Sequence, residues 1–434
     1  MNNNDLNNKK FNSKKSLIER LLEERYAYFF VVVTFLSFIV WAILLFAEGK
    51  GGTQFDIFFQ KCSDFMADAF NVAGYSSGRD VYHNTVYSGL GEKSYPPLTY
   101  MLMYFMSRLV DIKAYEKINS FKTMYADPSF MIILIIATII VLLLLYELIR
   151  TVKQGENHIK ALTAFAIILS APVLYAIERG NTILFTSILV IFFLYYNDSE
   201  NKVLREMALI ALAMAAAFKI TPAFLGIVLL YKKRWIDCVK VCLYFIVVGI
   251  LPFLFFKGGF ANILQMISNI QLNMSRYALL DGCTNKSFLL HYAVMIKGAD
   301  GIQSLDMLLI VARIMTFIVC AVLIVAPLFW EEKWKKIMSV CVVLIILPGH
   351  SEYYCLLYMI PAIIAFLNAK ERGRYDWIMM IGIFFITYSV QGILNDIFGY
   401  HLGLIIIQLW LFVSGIIAIV KHIKTRKIET ELEV

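Results

Sequence analysis

The chain has 434 residues, of which 60% are hydrophobic and only 17% charged, with a formal net charge of +8 and a mean hydropathy of +0.70. A soluble domain carries about 25% charged residues and about 45–50% apolar ones, so a string of soluble domains is excluded. Lys and Arg gather at the ends of apolar segments, as at Lys232, Lys233 and Arg234 or Lys421, Lys424, Arg426 and Lys427, a pattern of membrane topology and not of nucleic-acid binding.

Residues 1–26 form a polar head whose Lys9, Lys10, Lys14, Lys15, Arg20 and Arg25 put the N-terminus in the cytoplasm. The first apolar run, Ala27 to Ala47, lacks a small-residue cleavage site and reads as a retained span. Residues 48–95 are polar, hold Asp56, Asp64 and Asp68, and form an exterior loop. Pro96 to Val110 is a short apolar helix opened by Pro-Pro, since proline suits the first helical turn. Apolar segments follow at 128–149, 162–177, 181–196, 203–231 and 236–256. A second polar loop covers 257–306, and the last spans are 307–330, 337–349, 354–368, 377–394 and 402–420.

The expected fold is therefore an all-α polytopic membrane protein with about 12 transmembrane helices and long exterior loops carrying short interfacial helices. One transmembrane catalytic domain covers 27–420, and 421–434 is a cytoplasmic tail. The basic loops at 231–240, 331–336 and 368–376 are cytoplasmic, which leaves 48–95, 257–306, 349–353 and 395–401 outside. The middle admits two readings. In one, 96–110 spans and 203–231 is a single helix. In the preferred one, 96–110 lies along the outer interface and 203–231 breaks at Lys219-Ile220-Thr221-Pro222. Pro222 removes a helical hydrogen bond, and a break at the outer face spares Lys219 the roughly 2.5–3.5 kcal/mol of a lysine at bilayer centre.

Several residues have the chemistry for a reaction at the membrane edge. Asp64 follows the first span closely, and one carboxylate suffices as the base of an inverting sugar transfer; the plain alternative is a solvated loop aspartate. Tyr95, before Pro96-Pro97, can line a site or simply precede a helix. Glu178-Arg179-Gly180-Asn181 sits between two apolar runs, and a guanidinium grips phosphate bidentately; an interfacial turn is the competing role. Lys219 stands alone among apolar residues, where an ionisable group marks function unless it snorkels. His350 can donate to a phosphate or a sugar hydroxyl, with Glu352 as a reserve carboxylate. The chain has no P-loop, dinucleotide fingerprint, HExxH or GxSxG motif, and no soluble domain to bind a nucleotide sugar, so if it is a transferase its expected donor is lipid-borne.

These pieces recur in a known order: Asp64-Phe65 after the first span, Gly78-Arg79-Asp80-Val81-Tyr82, Tyr95-Pro96-Pro97-Leu98, Arg179-Gly180-Asn181, Phe218-Lys219-Ile220-Thr221-Pro222, Lys232-Lys233-Arg234-Trp235 and His350. The order resembles the family-87 glycosyltransferases, polyprenol-phosphate-mannose-dependent enzymes of the C-type superfamily, over about residues 27–370. Asn181 stands where that family usually has glutamine, and His350-Ser351-Glu352 where it often has paired histidines. The resemblance implies a polyprenyl-phosphate sugar donor, often mannose, an exterior active site, Asp64 as base, and Lys219, Arg179 and His350 as phosphate partners. The expected activity is hexosyl transfer with inversion to a lipid or cell-envelope glycan acceptor at the cell membrane, without cofactor or metal. Two other classes share the apolar body: a flippase or transporter of lipid-linked saccharide, and a cell-surface glycan polymerase or ligase.

Overall fold

The computed structural model describes residues 24–48, 65–86, 88–110, 128–276, 282–297, 305–370, 372–388 and 399–432; Asp64 and most of the head lie outside the described residues. Among the described residues every regular element is helical. In chain order these are α1 Arg25–Glu48, α2 Ala67–Ser76, α3 Pro97–Ser107, α4 Pro128–Val152, α5 Asn157–Ile168, α6 Ala171–Arg179, α7 Ile183–Tyr196, α8 Lys202–Phe218 and α9 Ile227–Tyr231. Then come α10 Trp235–Phe245, α11 Asn262–Arg276, α12 Asn285–Lys297, α13 Leu305–Val325, α14 Lys333–Ile346, α15 Ile360–Asn368, α16 Ile378–Thr387 and α17 Gly399–Leu432. The chain is a multi-pass membrane protein, and its two long polar segments carry short helices: α2 in the first, α11 and α12 in the second.

Five helical stretches are long and apolar enough to cross a bilayer unaided: Arg25–Ile43, Ser129–Val152, Trp235–Phe255, Asp306–Leu328 and Gly399–Thr425. The α5–α6 pair is a sixth if counted as one span bent by 51°, and shorter apolar helices cover Ile183–Tyr196, Thr221–Tyr231, Tyr353–Asn368 and Ile378–Thr387. Several apolar segments that read as single spans are thus interrupted, and each interruption has a local cause. Within 162–177, Ser170 is extended (φ −70°, ψ 147°) and Pro172 sits in the next first turn, where it cannot donate back into α5. The hydroxyl of Ser170 donates to the Ile167 carbonyl at 2.6 Å. The segment at 236–256 stays one span, Trp235–Phe255, although it passes from α10 into a π turn at Ile246–Ile250 and a 3₁₀ turn at Leu251–Phe255 around Pro252. Tyr353–Met359 is likewise 3₁₀ before Pro361 opens α15.

The decisive break is at Lys219. It is extended (φ −142°, ψ 131°) after α8, and a 3₁₀ turn, Thr221–Gly226, with Pro222 near its start leads into α9. The chain therefore follows the broken reading of 203–231. Thr99, fully buried in α3, donates its hydroxyl to the Phe218 carbonyl at 2.7 Å, supplying a partner that the interrupted helix no longer provides.

Helices in lipid gain little from hydrophobic burial against one another, so close approach by small residues does more. Ala208, Ala211, Ala213, Ala215, Ala216 and Ala217 of α8 are buried. Where α16 crosses α17, a Cβ on Gly403 would meet the Gly382 carbonyl oxygen at 2.7 Å, so only glycine fits. At the centre, α14 buries an unbroken run from Ile337 to Ile346, and α15 buries Ile360 to Leu367. At the periphery, α10 buries no side chain, as suits a helix facing lipid.

A second, smaller core joins α2 and α3 to Phe130, Leu134, Phe253, Phe256 and Met266. Beside it, the loop before α3 is organised by Lys93. Its ammonium donates to the carbonyls of Val86 at 2.9 Å, Ser88 and Gly89 at 3.2 Å, and lies 4.1 Å from the Tyr75 ring centroid. Asn269 of α11 closes the loop from outside by donating to the Lys93 and Tyr82 carbonyls at 3.1 and 3.0 Å.

Candidate active site

The site forms where α2, the α6–α7 turn, the start of α3 and the break after α8 converge. The helix α6 ends at Gly180 in the left-handed region (φ 61°), with the Gly180 amide donating to Ile177 at 3.0 Å and the Asn181 amide to Ala176 at 3.1 Å. This closure projects Arg179 and Asn181 from one turn. A Cβ on Gly180 would come within 2.7 Å of Met66 Sδ and 3.1 Å of its Cα. Glycine thus also permits the approach of α2. Met66 itself has positive φ (56°), and its amide donates to the Glu178 carbonyl at 2.6 Å.

With α2 docked so, Asp68 in its first turn receives Arg179 Nη2 at 2.6 Å and Asn181 Nδ2 at 2.7 Å, one on each carboxylate oxygen. Asn181 Nδ2 also lies 3.3 Å from the Tyr95 hydroxyl, while its Oδ1 accepts the Ile183 amide at 3.0 Å, an Asx turn that leads into α7. Tyr95 is held in turn by its neighbours: its carbonyl accepts the Tyr82 hydroxyl at 3.1 Å, and its amide donates to the Tyr100 hydroxyl at 3.3 Å. Burial, and then the Asp68 carboxylate, push the Tyr95 phenol well above its usual range, so it acts as a neutral hydrogen-bonding group.

Lys219 reaches this cluster from the break. Its Nζ lies 4.6 Å from the Tyr354 ring centroid and 5.4 Å from that of Tyr95, and Tyr354 stacks on Tyr175 at 5.9 Å with the rings 20° apart. Aromatic faces are a sound resting place for an ammonium, and they leave its N–H groups able to meet an anion. The 349–352 turn stands next to Tyr354. There His350 Nε2 lies 3.5 Å from Glu352 Oε1, and burial, then Lys286, then Lys219, push the imidazole down to about 4. His350 is therefore neutral at pH 7 and meets a ligand as a dipole, not as a cation.

Tyr95, Arg179, Asn181 and Lys219 thus share one site, with His350 and Glu352 on the adjoining turn. Asp68, Tyr175 and Tyr354 belong to it as well and were not singled out from the sequence. For Asp68 the available signal was its place four residues after Asp64 in the same polar segment; nothing local marked the two tyrosines. Among the described residues, no group of three or more His, Cys, Asp or Glu side chains is arranged to hold a metal ion.

The model of glycosyltransferase family 87 matches residues 94–348, more than half of the 434 residues. The chain belongs to that family and is a membrane glycosyltransferase. No curated protein and no solved structure matches it. The matched stretch contains Tyr95, Arg179, Asn181 and Lys219; Asp64 and Asp68 precede it, and His350 and Glu352 follow it.

Proposed function

We propose that this glycosyltransferase moves a hexose, mannose in the first instance, from a polyprenyl-phosphate donor to a lipid or cell-envelope glycan acceptor. Transfer occurs at the exterior face of the cell membrane, with both termini in the cytoplasm and with inversion at the anomeric carbon. The observation that carries this reading is Lys219, set at a helix break and resting on Tyr95 and Tyr354 beside the Asp68–Arg179–Asn181 cluster. The leaving group is a lipid phosphate. Its negative charge grows in the transition state, and cations fixed in apolar surroundings stabilise that charge more strongly than water does.

The residue roles follow. Lys219 and Arg179 bind the donor phosphate, with His350 donating from the adjoining turn. Asp64 takes the proton of the acceptor hydroxyl as that oxygen attacks the anomeric carbon and the C–O bond to phosphate breaks. Asp68, with both oxygens engaged, positions Arg179 and Asn181, and Tyr95 and Glu352 face the sugar.

The test uses purified protein, polyprenyl-phosphate hexoses and a panel of lipid acceptors. Asp64→Asn keeps the shape but cannot accept a proton, so turnover should fall about 10²–10⁴-fold. Near-wild-type turnover would remove Asp64 from the base role and turn attention to Asp68 and Glu352. If no donor supports transfer but lipid-linked sugar crosses vesicle membranes, the protein is a flippase.

A further inference from the structure

The segment 282–287 joins the site to the lipid-facing side of the bundle. At one end, the Cys283 amide donates to the Ser351 carbonyl at 2.7 Å, so the segment docks on the His350–Glu352 turn. At the other, Asn285 Nδ2 donates to Thr316 Oγ1 of α13 at 3.2 Å. Lys286 follows directly on Asn285. One helical turn from Thr316 on α13 is Arg313, whose side chain is exposed.

Arg313 is out of keeping with its helix. The span Asp306–Leu328 is otherwise strongly apolar, and Ile310 and Phe317, which flank Arg313 on the same face, are 50% and 75% exposed. At about 1.5 Å per residue, Arg313 lies roughly 10 Å beyond Asp306, well inside a hydrocarbon layer about 30 Å thick. A charge there is costly and marks function by default. The Lys286 ammonium is lowered from its usual range by burial and then by Arg313, and Lys286 in turn bears on His350. Cations thus run from the lipid face inward: Arg313, Lys286, then Lys219 across the His350 turn.

We propose that Arg313 and Lys286 form a lipid-facing station for the phosphodiester of the polyprenyl-phosphate donor, from which the head group passes to Lys219 while the tail stays along the exposed apolar face of α13. This rests on the donor class given above. The station supplies the charge that a lipid phosphate needs to leave the interface, and Ile310 and Phe317 supply the surface for its tail.

The test is native mass spectrometry of the full-length protein with a polyprenyl monophosphate and, separately, phosphatidylglycerol, together with donor kinetics. Wild type should retain the polyprenyl phosphate in preference to phosphatidylglycerol. Arg313→Gln and Lys286→Gln should each lose that retention and raise KM for the donor about tenfold, as for one charge-assisted contact, with kcat nearly unchanged; Arg313→Lys should keep both. Size-exclusion profiles check that the variants fold, and the exposed Arg313 gives the fold little reason to fail when it is replaced. Unchanged retention in both Gln variants would overturn the station while leaving the donor class intact. Equal retention of phosphatidylglycerol would make it a general head-group site and overturn a donor role. If wild type retains no polyprenyl phosphate and uses no polyprenyl-phosphate sugar, the donor class itself falls and the station with it.

Discussion

The guanidinium of Arg179 meets the carboxylate of Asp68 at 2.6 Å across 111 residues of sequence. Their side chains are only 20% and 16% exposed, so this pair is worth more than a surface ion pair. Arg179→Ala and Asp68→Asn should each cost about 1–3 kcal/mol, the penalty of stranding a part-buried polar group. The double variant should cost less than the sum of the two. Thermal unfolding in detergent measures all three, and strict additivity would show that the pair is not coupled.

Lys219 should act on donor use and not on the fold. Lys219→Ala should raise KM for the lipid-phosphate sugar at least about tenfold, whereas Lys219→Arg, which keeps the charge, should lose less. Steady-state kinetics with a single donor give the result. Unchanged kinetics in the alanine variant would take Lys219 out of phosphate binding.

The break after α8 depends on a tie that can be removed alone. Thr99→Val keeps the side chain's shape and deletes the donor to the Phe218 carbonyl, leaving a buried acceptor unmet at a cost of about 1–3 kcal/mol. Thr99→Ser should restore most of this. An unfolding temperature equal to that of wild type in Thr99→Val would mean that water or a neighbour takes over the carbonyl.

Gly180→Ala should disturb both backbone and packing. Alanine at φ 61° costs about 1–2 kcal/mol, and its Cβ would press on Met66. Since Arg179 and Asn181 flank this position, activity should fall by more than stability does. A variant as active as wild type would show that the α2 contact tolerates displacement.

The neutral imidazole of His350 makes stability depend on pH in a definite direction. Its pKa is about 4 in the folded chain against an ordinary 6.5, so between those values the unfolded state binds more protons. Stability therefore rises with pH across that window and falls on acidification from 6.5 towards 4. His350→Gln should flatten this part of the profile, read as unfolding temperature against pH beside wild type. Equal slopes for the two proteins would contradict it.

Much of this was legible locally. Lys219-Ile220-Thr221-Pro222 announced the broken helix because proline's missing donor acts within one turn, and Pro97 marked the start of α3 for the same reason. Basic clusters and apolar runs gave the polytopic helical plan, since lipid imposes length and composition on each crossing. The bend at Ser170 was missed although Pro172 stood in plain view, because the apolar run 162–177 has the length of a span with or without it. The partners of Asp68 were not legible from its own stretch of sequence. Nothing within several residues of it foretells Arg179 or Asn181; that meeting depends on the close approach of α2 that Gly180 permits. Asp64, expected to act as base, lies outside the described residues, so its role rests on the experiment above.

Lys93 has a last consequence. Extracellular modules often borrow calcium to gather loop carbonyls that would otherwise point apart. Here the ammonium of Lys93, covalently tethered, gathers the carbonyls of Val86, Ser88 and Gly89. The loop thus brings its own counterion. A tethered ammonium cannot be removed by a chelator as a bound ion can, so this gathering of carbonyls should persist whatever the divalent content of the medium.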